Sequence, residues 1–481
     1  MLERAKYNKE MDKARARQVS DIADYLMDFI KVNADIRDKP INSQPDDAVI
    51  EKIKNMEIPH EGRDPKVVGD EIVNDILNYC TVLQHPRFLS LVASAVSPYS
   101  IAGALLTDIY NPNAAGFSIT TTASLVEEKL IRWMGSRAGW DENCGGLFTS
   151  GGSMSNLTCM IAARENKLPG RYDLADAVAF FSDQAHSSVV KGMRMMGLRN
   201  DQCVKIETDD EFKMRVDLLE EAIIKAKAEG KKPFLMVATL GTTNTGTIDP
   251  FDKMADLAEK YGMWLHVDGA YGGSVLFSDI YSHLAKGIER ADSLSWDTHK
   301  WAMQTYSCSC AIAKDKQTFI TAFNEHPEYL ADVISSEHND GWDLGIEMSR
   351  PARYIKLWYT LQAMGTDLMA DVIDYAFYNA KQAEKAICAL PDWEIISRPS
   401  CGALNFRYAP GDVPCEKYDE LNDMISKKLL DDGYAYVLTT TLKGKKVIRL
   451  CVINGNSETE DVLNTVEKLN EIAVSLKDQY K

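Results

Sequence analysis

The sequence has no apolar run long enough to cross a bilayer, which takes about 20 consecutive apolar residues. Its first residues, MLERAKYNKEMDKARARQ, are charged and lack the apolar stretch of a secretory signal. Positive charge is also scarce, since 54 lysines and arginines face 71 aspartates and glutamates, for a formal net charge of -17. A nucleic acid requires a basic surface, so we expect neither a membrane nor a nucleic acid as a partner.

Closely spaced cysteines are scarce, although the chain contains ten cysteines. Cys308 and Cys310 form the one close pair, and a Cys-x-Cys without a second pair or nearby histidines is a weak zinc signal. We therefore expect no metal site, and we interpret the cysteines as the reduced thiols of a cytoplasmic protein.

Composition divides the chain into three predicted segments. Residues 1–84 contain helix-like patterns around 15–33 and 67–82, with too few apolar residues to fold alone. Residues 85–365 alternate strand-like and helix-like stretches and are expected to form a large domain. Residues 366–481 mix both patterns and are expected to form a smaller α+β domain.

The alternation in the large segment predicts an α/β fold with a mostly parallel sheet. The predicted strands there are 177–182, 234–239, 263–268, 291–296 and 308–313, and the predicted helices are 121–139, 154–167, 216–229 and 251–261. In the last segment we predict helices at 366–388, 416–432 and 458–478, and strands at 402–408, 434–439 and 446–453. Mostly parallel sheets bind ligands at the carboxyl ends of their strands.

A lysine follows the strand predicted at 291–296, in the stretch SWDTHKW at 295–301. We expect burial among aromatic and small residues to lower the pKa of Lys300, because a neutral amine is the form that attacks an aldehyde. A surface lysine on an ordinary turn would give the same local pattern.

A carboxylate ends the strand predicted at 263–268, in the stretch HVDGAYGG at 266–273. The small residues after Asp268 would let a flat ring approach, and the carboxylate would hold a pyridine nitrogen in its protonated form. Two alternatives stay open at this point. His266 and Asp268 share a strand face and could bind a metal, or Asp268 could cap the next turn.

A glycine-rich turn opens the helix predicted at 154–167, in the stretch TSGGSMSN at 149–156. Its glycines, the helix N–H groups and the hydroxyl of Ser153 could hold a phosphate, although an ordinary helix start has the same pattern. The lysine of a nucleotide-binding P-loop is missing.

Two further turns follow predicted strands. In SDQAHSS at 182–188, His186 could stack on a ring or be structural. In GTTNTG at 241–246, the hydroxyls could bind a cofactor or bond only within their own turn.

The order of these pieces carries more weight than any one of them. A phosphate turn, a stackable histidine, a hydroxyl-rich turn, a carboxylate and a lysine occur in sequence within one α/β unit, most of them just after a predicted strand. Together they supply the parts that are needed to hold pyridoxal 5'-phosphate (PLP).

With these motifs in place, the chain resembles the group II PLP-dependent amino-acid decarboxylases, which include aromatic L-amino-acid, tryptophan, tyrosine and glutamate decarboxylases. The resemblance runs over nearly the whole chain. It rests on HPRF at 85–88, TSGGSMSN at 149–156, SDQAHSS at 182–188, GTTNTG at 241–246, HVDGAYGG at 266–273, SWDTHKW at 295–301 and PEYL at 327–330. Many relatives have proline at the position of Ala93 and glutamate at that of Met154, and Ala93 lies in the presumed substrate wall.

The resemblance implies an aspartate-aminotransferase type of fold (fold type I) and a homodimer in which residues 1–84 clasp the partner. It implies Lys300 as the Schiff-base lysine, His186 as the ring-stacking histidine and Asp268 as the partner of the pyridine nitrogen. The implied cofactor contacts are Gly152, Ser153, His186, Thr243, Asp268, Ala270, Asp297 and Lys300, of which Gly152, Ser153 and Asp297 fall at the phosphate. A lid within 322–345 is implied as well, and it would carry Tyr329, the donor of a proton to the substrate carbon.

The substrate wall is also implied by the resemblance, and it comprises Leu91, Ser94, Phe117 and His299. The apolar Leu91 and Phe117 favour phenylalanine, tyrosine or tryptophan over glutamate. Other enzymes of this fold are less consistent with SDQAHSS and PEYL, and an aldehyde synthase would have phenylalanine in place of Tyr329. A non-catalytic regulatory relative would not need to retain Lys300, Asp268 and His186.

Overall fold

The computed structural model describes residues 22–30, 36–170, 174–324 and 338–481. Within this part of the chain the strands form one seven-stranded sheet and one four-stranded sheet. The strands are β1 Gly145–Thr149, β2 Ala177–Ser182, β3 Cys203–Ile206, β4 Lys232–Thr239, β5 Trp264–Asp268, β6 Ser293–Asp297, β7 Ser309–Ala313, β8 Trp393–Ser400, β9 Ala403–Tyr408, β10 Leu438–Leu442 and β11 Lys445–Cys451.

The helices of the same described ranges lie around and between the two sheets. They are α1 (22–30), α2 Asp47–Lys54, α3 Pro65–Glu71, α4 Pro98–Tyr110, α5 Thr121–Arg137, α6 Gly152–Lys167, α7 Ser187–Met195, α8 Val216–Ala228, α9 Phe251–Tyr261, α10 Gln317–Phe323, α11 Ile355–Met364, α12 Thr366–Cys388, α13 Tyr418–Asp431 and α14 Thr459–Lys477. None of these helices has the combination of length and apolar character that a membrane crossing requires.

The large sheet has the strand order β1-β7-β6-β5-β4-β2-β3. The neighbours from β6 to β3 pair in parallel, whereas β7 runs antiparallel to both β6 and β1. The small sheet, β10-β11-β9-β8, is antiparallel throughout. The predicted α/β fold with a mostly parallel sheet is therefore confirmed, with β7 as its exception.

The strands β2, β5 and β6 are buried along their whole length because helices cover both faces of the large sheet. In β2, Phe180 packs into a core that includes Leu219 of α8 and Met254 of α9. Its neighbour Phe181 packs on the opposite face with Val189 of α7 and other residues of α6 and α7. Successive side chains of one strand thus enter two different cores, which explains why no polar alternation is visible in the sequence.

Two predicted elements differ from the structure. The strand predicted at 434–439 begins only at Leu438, because the residues before it pair with a different segment of the chain. Tyr436 forms a bridge with Phe88, and its backbone N–H and carbonyl bond to the residues on either side of Phe88. The helix predicted at 67–82 is α-helical only to Glu71, after which a π-helical turn, Ile72–Ile76, and a 3-10 turn, Leu77–Tyr79, continue it.

The topology brings the predicted site residues to one edge of the large sheet. The carboxyl ends of β4, β5 and β6 point to the same edge, since these strands are parallel neighbours. The start of α6 and the turn before α7 lie at that edge too, because each follows the end of a strand, β1 and β2.

Candidate active site

A cavity of about 420 Å³ lies at this edge of the sheet. Its size falls within the range of small-molecule sites, about 300–1,000 Å³. It is lined by Ser150, Gly151, Gly152, Ser153, Met154, His186, Ser188, Thr239, Gly241, Thr243, Asp268, Ala270, Tyr271, Asp297, His299, Lys300 and Tyr306. The structure thus brings together around one space all of the cofactor contacts that the sequence predicts.

Lys300 lies in the connection between β6 and β7, with its Nζ 2.9 Å from Oδ2 of Asp297. Burial lowers the pKa of Lys300, but Asp297 and Asp268 outweigh it, so the pKa of the amine is raised above its ordinary value. The prediction of a lowered pKa for Lys300 is therefore wrong for the chain without its cofactor. That prediction considered burial alone, and it could not include a carboxylate three residues earlier whose side chain lies against the amine.

His299 is buried beside this pair, with its Nε2 3.8 Å from the same oxygen of Asp297. Burial lowers the pKa of His299 although Asp297 raises it, so the imidazole is largely neutral at pH 7. Tyr306, which sequence reasoning missed, lines the cavity with its ring centroid 4.8 Å from that of His299. The backbone before and at Tyr306 is held by Lys356, whose Nζ donates to the carbonyls of Thr305 and Tyr306.

Asp268 ends β5 and is 4% exposed. Its Oδ1 accepts hydrogen bonds from the backbone N–H of Ala270 at 3.1 Å and from the hydroxyl of Ser295 at 3.3 Å. Its Oδ2 accepts from the side-chain amide of Asn156 at 3.0 Å. A carboxylate oxygen can accept two hydrogen bonds, so Oδ2 keeps capacity for a further donor such as a pyridinium N–H.

The glycine-rich turn places the start of α6 against the end of β6. A Cβ added at Gly152 would lie 2.6 Å from Oδ2 of Asp297 and 2.9 Å from Cβ of Ala270, so only glycine fits there. The first N–H groups of a helix have no partner within the helix, and at Gly152 and Ser153 they can serve an anion. This arrangement agrees with a phosphate at the turn.

His186 is the N-cap residue of α7, and its Nδ1 lies 2.8 Å from Oγ of Ser188. In the hydroxyl-rich turn, Thr242 and Thr245 bond to each other at 2.7 Å and stabilise the turn itself, whereas Thr243 lines the cavity. Thr243 is therefore the threonine of this turn that can reach a ligand in the cavity.

Three predicted substrate contacts lie outside the lining of this cavity in the described chain. Leu91 has a left-handed backbone (φ 47°) and is about half exposed. Ser94 is buried and accepts from the N–H of Gly455, and Phe117 stacks on His338 at 4.0 Å beside a different cavity. Tyr329 and residues 325–337 of the predicted lid lie outside the described residues, so these roles stay predictions.

A metal is not favoured by the arrangement around the candidate ligands. Within 22–30, 36–170, 174–324 and 338–481, no group of three or more histidine, cysteine, aspartate or glutamate side chains is arranged to hold a metal ion. Nε2 of His266 faces Oδ1 of Asn156 at 3.0 Å instead. Asp268, on the same strand face as His266, can therefore contact a ligand other than a metal.

The residues present fit PLP. The Gly152 cradle leaves room for a phosphate, Asp268 has acceptor capacity at the end of β5, and the one lysine of the cavity lies on the adjoining strand connection. In addition, Oγ1 of Thr239 and Oδ1 of Asp297 are buried without a hydrogen-bond partner, and both residues line the cavity. A bound polar ligand would supply the partners that buried polar atoms require. The fold and this site together define a fold type I PLP enzyme.

Comparison with known proteins gives the class more narrowly. Residues 48–409 match the pyridoxal-dependent decarboxylase conserved domain. An aromatic-L-amino-acid decarboxylase of Bacillus atrophaeus is 33% identical over 449 residues, 92% of this chain and 93% of that protein. An acidic amino acid decarboxylase of Mus musculus is 30% identical over 407 residues, 83% and 74% of the two chains. The crystal structure of Catharanthus roseus tryptophan decarboxylase in complex with L-tryptophan has a TM-score of 0.86 at 26% identity, with 97% and 98% of the chains covered.

The chain belongs to the pyridoxal-dependent decarboxylase family, group II, and is a PLP-dependent amino-acid decarboxylase. The resemblance that the motifs predicted is thereby confirmed, as are the cofactor and the fold type. The individual roles of the site residues remain proposals.

Proposed function

We propose that the protein removes the carboxylate of an aromatic L-amino acid, phenylalanine, tyrosine or tryptophan, as CO₂ and releases the arylalkylamine. The observation that carries the reaction is the convergence of Lys300, Asp268 and His186 on one cavity. The aromatic substrate is supported by the 33% identity with an aromatic-L-amino-acid decarboxylase over 92% of the chain. The apolar Leu91 and Phe117 favour it from the sequence, as predicted substrate contacts, although neither lines the cavity around Lys300 in the described chain.

Each residue of the cavity has its own proposed role toward the cofactor. When bound, PLP supplies an electron sink for the electron pair that is released as the Cα–carboxylate bond breaks. Lys300 would hold the cofactor aldehyde covalently until substrate arrives, and Asp268 would keep the pyridine nitrogen protonated. His186 would stack on the ring, and Gly152 and Ser153 would bind the phosphate through the start of α6.

The neutral His299 would contact the substrate and help to orient the carboxylate perpendicular to the ring, which the bond cleavage requires. Proton delivery to Cα is assigned by resemblance to Tyr329. The ammonium of Lys300 has to lose its proton before it attacks an aldehyde, because a protonated amine has no free electron pair. Asp297, at 2.9 Å, therefore controls how readily the lysine becomes reactive.

We propose a homodimer, in which the clasping segment is residues 1–84 and the two further domains are 85–365 and 366–481. Support comes from exposed apolar side chains on α1 to α3, within this segment, and on α4, just after it, which a chain alone in water would leave uncovered. These side chains include Ile22, Leu26, Met27, Ile50, Ile53, Val67, Ile101, Leu105, Leu106, Ile109 and Tyr110. Light scattering of the purified protein tests the dimer, and a monomer would contradict it.

Cytoplasmic localisation remains a prediction from the cysteines.

A competition assay tests the substrate class. The holoenzyme is incubated with an equimolar mixture of the three aromatic amino acids, glutamate, aspartate and cysteine sulfinate, and the amines formed are quantified by mass spectrometry. We expect arylalkylamines to dominate. Dominance of an amine from an acidic substrate would overturn the aromatic proposal and leave the decarboxylase assignment intact.

An acidic amino acid is the second candidate, because one buried cation near the predicted substrate wall has unused capacity. Arg449 is 4% exposed and donates through Nη1 to the carbonyl of Leu91 at 2.7 Å and through Nε to that of Asn244 at 3.2 Å. Its Nη2 is buried without a hydrogen-bond partner, and a buried cation is stabilised by an anion. A 30% identical relative is named for acidic substrates. If this candidate is right, Arg449→Met should abolish turnover of the acidic substrate.

A further inference from the structure

Asn156 occupies a central place behind the cavity, on the second turn of α6, where it is 1% exposed. Its amide nitrogen donates to Oδ2 of Asp268 at 3.0 Å and to Oγ of Ser188 at 3.2 Å. Its amide oxygen faces Nε2 of His266 at 3.0 Å. Both amide hydrogens and one oxygen lone pair are therefore engaged, with two residues of β5 and one of α7.

The direction of these hydrogen bonds follows from the carboxylate of Asp268. A carboxylate only accepts hydrogen bonds, so the nitrogen of Asn156 must face Asp268 and its oxygen then faces His266. Burial lowers the pKa of His266 to about 4, so the ring is neutral and carries its one hydrogen on Nε2, toward that oxygen. Nδ1 of His266 then accepts from the hydroxyl of Ser293 at 2.9 Å, and this hydroxyl accepts from the indole N–H of Trp264 at 2.8 Å.

The second branch leads to the histidine on the other side of the cavity. The backbone N–H of Ser188 donates to Nδ1 of His186 at 3.2 Å, which makes this nitrogen an acceptor. The hydroxyl of Ser188, 2.8 Å from the same nitrogen, accepts from Asn156 and donates to His186. A single amide is thus connected to Asp268 directly and to His186 through one hydroxyl.

We propose that Asn156 is a positioning residue that fixes the carboxylate of Asp268 and the ring of His186 relative to each other, with His266 and Ser293 fixing its own orientation. This inference rests on the proposed roles of Asp268 and His186 toward PLP. The amide matters because it donates two hydrogen bonds at once. A carboxylate of the same shape would accept from His266 but could not donate to Asp268 or Ser188.

Asn156→Asp tests the proposal in the full-length protein with PLP as the probe. The readouts are the dissociation constant of PLP from the apoenzyme, the circular dichroism of the bound cofactor, and the melting temperature of the apoenzyme. We expect the dissociation constant to rise about 10-fold or more, as the loss of a hydrogen bond to a charged group predicts, together with a changed cofactor circular dichroism. Ser188→Ala should change the circular dichroism while it affects the dissociation constant less.

Asn379→Ala is the matched control, since Asn379 is also 1% exposed but lies on α12, where it accepts from Thr459. It should lower the melting temperature and leave both cofactor readouts unchanged. A folded Asn156→Asp protein with wild-type cofactor readouts would overturn the proposal, as would equal cofactor effects in the control. If Asn156→Asp does not fold, Ser188→Ala and His266→Gln decide, and wild-type readouts in both would reject the proposal.

Two further variants separate this inference from the proposed function. Asp268→Asn and His186→Ala should each alter the cofactor readouts. If neither does, the proposed roles of Asp268 and His186 are wrong. If they do and Asn156→Asp does not, only the positioning role fails.

Discussion

The amine of Lys300 lies 2.9 Å from Oδ2 of Asp297, three residues before it in the chain. The carboxylate favours the ammonium form, and it raises the pKa of Lys300 against the lowering effect of burial. In the cofactor-free enzyme the amine of Lys300, the proposed attachment point of PLP, is therefore held mainly as a cation.

Asp297→Asn should shift the pH dependence of cofactor attachment. Without the carboxylate the pKa of Lys300 falls, so the neutral amine becomes available at lower pH and the rate profile should move toward acid. The rate of PLP attachment to the apoenzyme, followed by absorbance between pH 6 and 9, measures the shift. Lys300→Ala is the control, since after borohydride reduction it should carry no covalent cofactor by mass spectrometry. An unchanged rate profile in Asp297→Asn would contradict the assigned effect of the ion pair.

Gly152→Ala should weaken cofactor binding strongly. The added Cβ would lie 2.6 Å from Asp297 and 2.9 Å from Ala270, so one wall of the cavity has to shift. We expect the dissociation constant of PLP to rise by about 10-fold or more, the size of one lost charged hydrogen bond. Gly62→Ala is the matched control, because a Cβ there meets nothing within 4 Å. Equal affinity in both variants would show that the turn does not bind the phosphate.

Glu127→Ala should destabilise the fold through an unpaired buried cation. Glu127 accepts from Arg350 through both carboxylate oxygens at 2.6 Å, and the two side chains are 6% and 2% exposed. Removal of one partner from such a pair costs about 3–5 kcal/mol. Glu128→Ala removes a more exposed pair with Arg132 and should cost less than about 1 kcal/mol. Urea unfolding measures both free energies, and similar values would refute the distinction.

The buried histidines should make the protein less stable as the pH is lowered below neutrality. Burial holds the pKa of His266 at about 4 in the folded chain, against 6.5 for an ordinary histidine, and it also lowers the pKa values of His85 and His299. Between pH 6.5 and 4 these histidines bind protons in the unfolded chain but not in the folded one, so they favour unfolding in acid, whereas Asp249, whose pKa burial raises to about 6, acts in the opposite direction. Urea unfolding from pH 7.5 to 4.5 should show this slope, and His266→Gln should reduce it. The exposed His60→Gln should leave it unchanged; a slope unaffected by His266→Gln would contradict the assignment.

Sequence patterns predicted the parts of the fold whose burial is uniform. β2, which is buried throughout, was predicted with its observed ends, Ala177–Ser182. β1, Gly145–Thr149, was missed because two glycines weaken its pattern, and β3, Cys203–Ile206, because it is a short, half-exposed edge strand. Local patterns cannot reveal pairing partners, which is why the stretch before Leu438 was wrongly predicted as a strand.

The site was predictable where chemistry and sequence order coincide. Lys300 and His186 follow strands and Asp268 ends one, so the topology brings them to the same edge of the sheet. The network of Asn156 was not predictable, because its partners Ser188 and Asp268 are 32 and 112 residues away in the chain. Tyr306 was missed because a single tyrosine in a connection has no recognisable pattern. The raised pKa of Lys300 depends on a distance that only the structure provides.

The antiparallel strand β7 has a consequence for which positions of this enzyme can change during evolution. Because β6 and β7 are paired neighbours, the connection at 298–308 is closed at both ends by the sheet, and the backbone of His299 bonds back to Cys308. The backbone on both sides of Lys300 is therefore anchored to two neighbouring strands. Three of the four predicted substrate contacts, Leu91, Ser94 and Phe117, lie by contrast before residue 120, outside this connection. If they contact the substrate as proposed, substitutions there should alter which amino acid is accepted and leave the proposed attachment point of the cofactor in place.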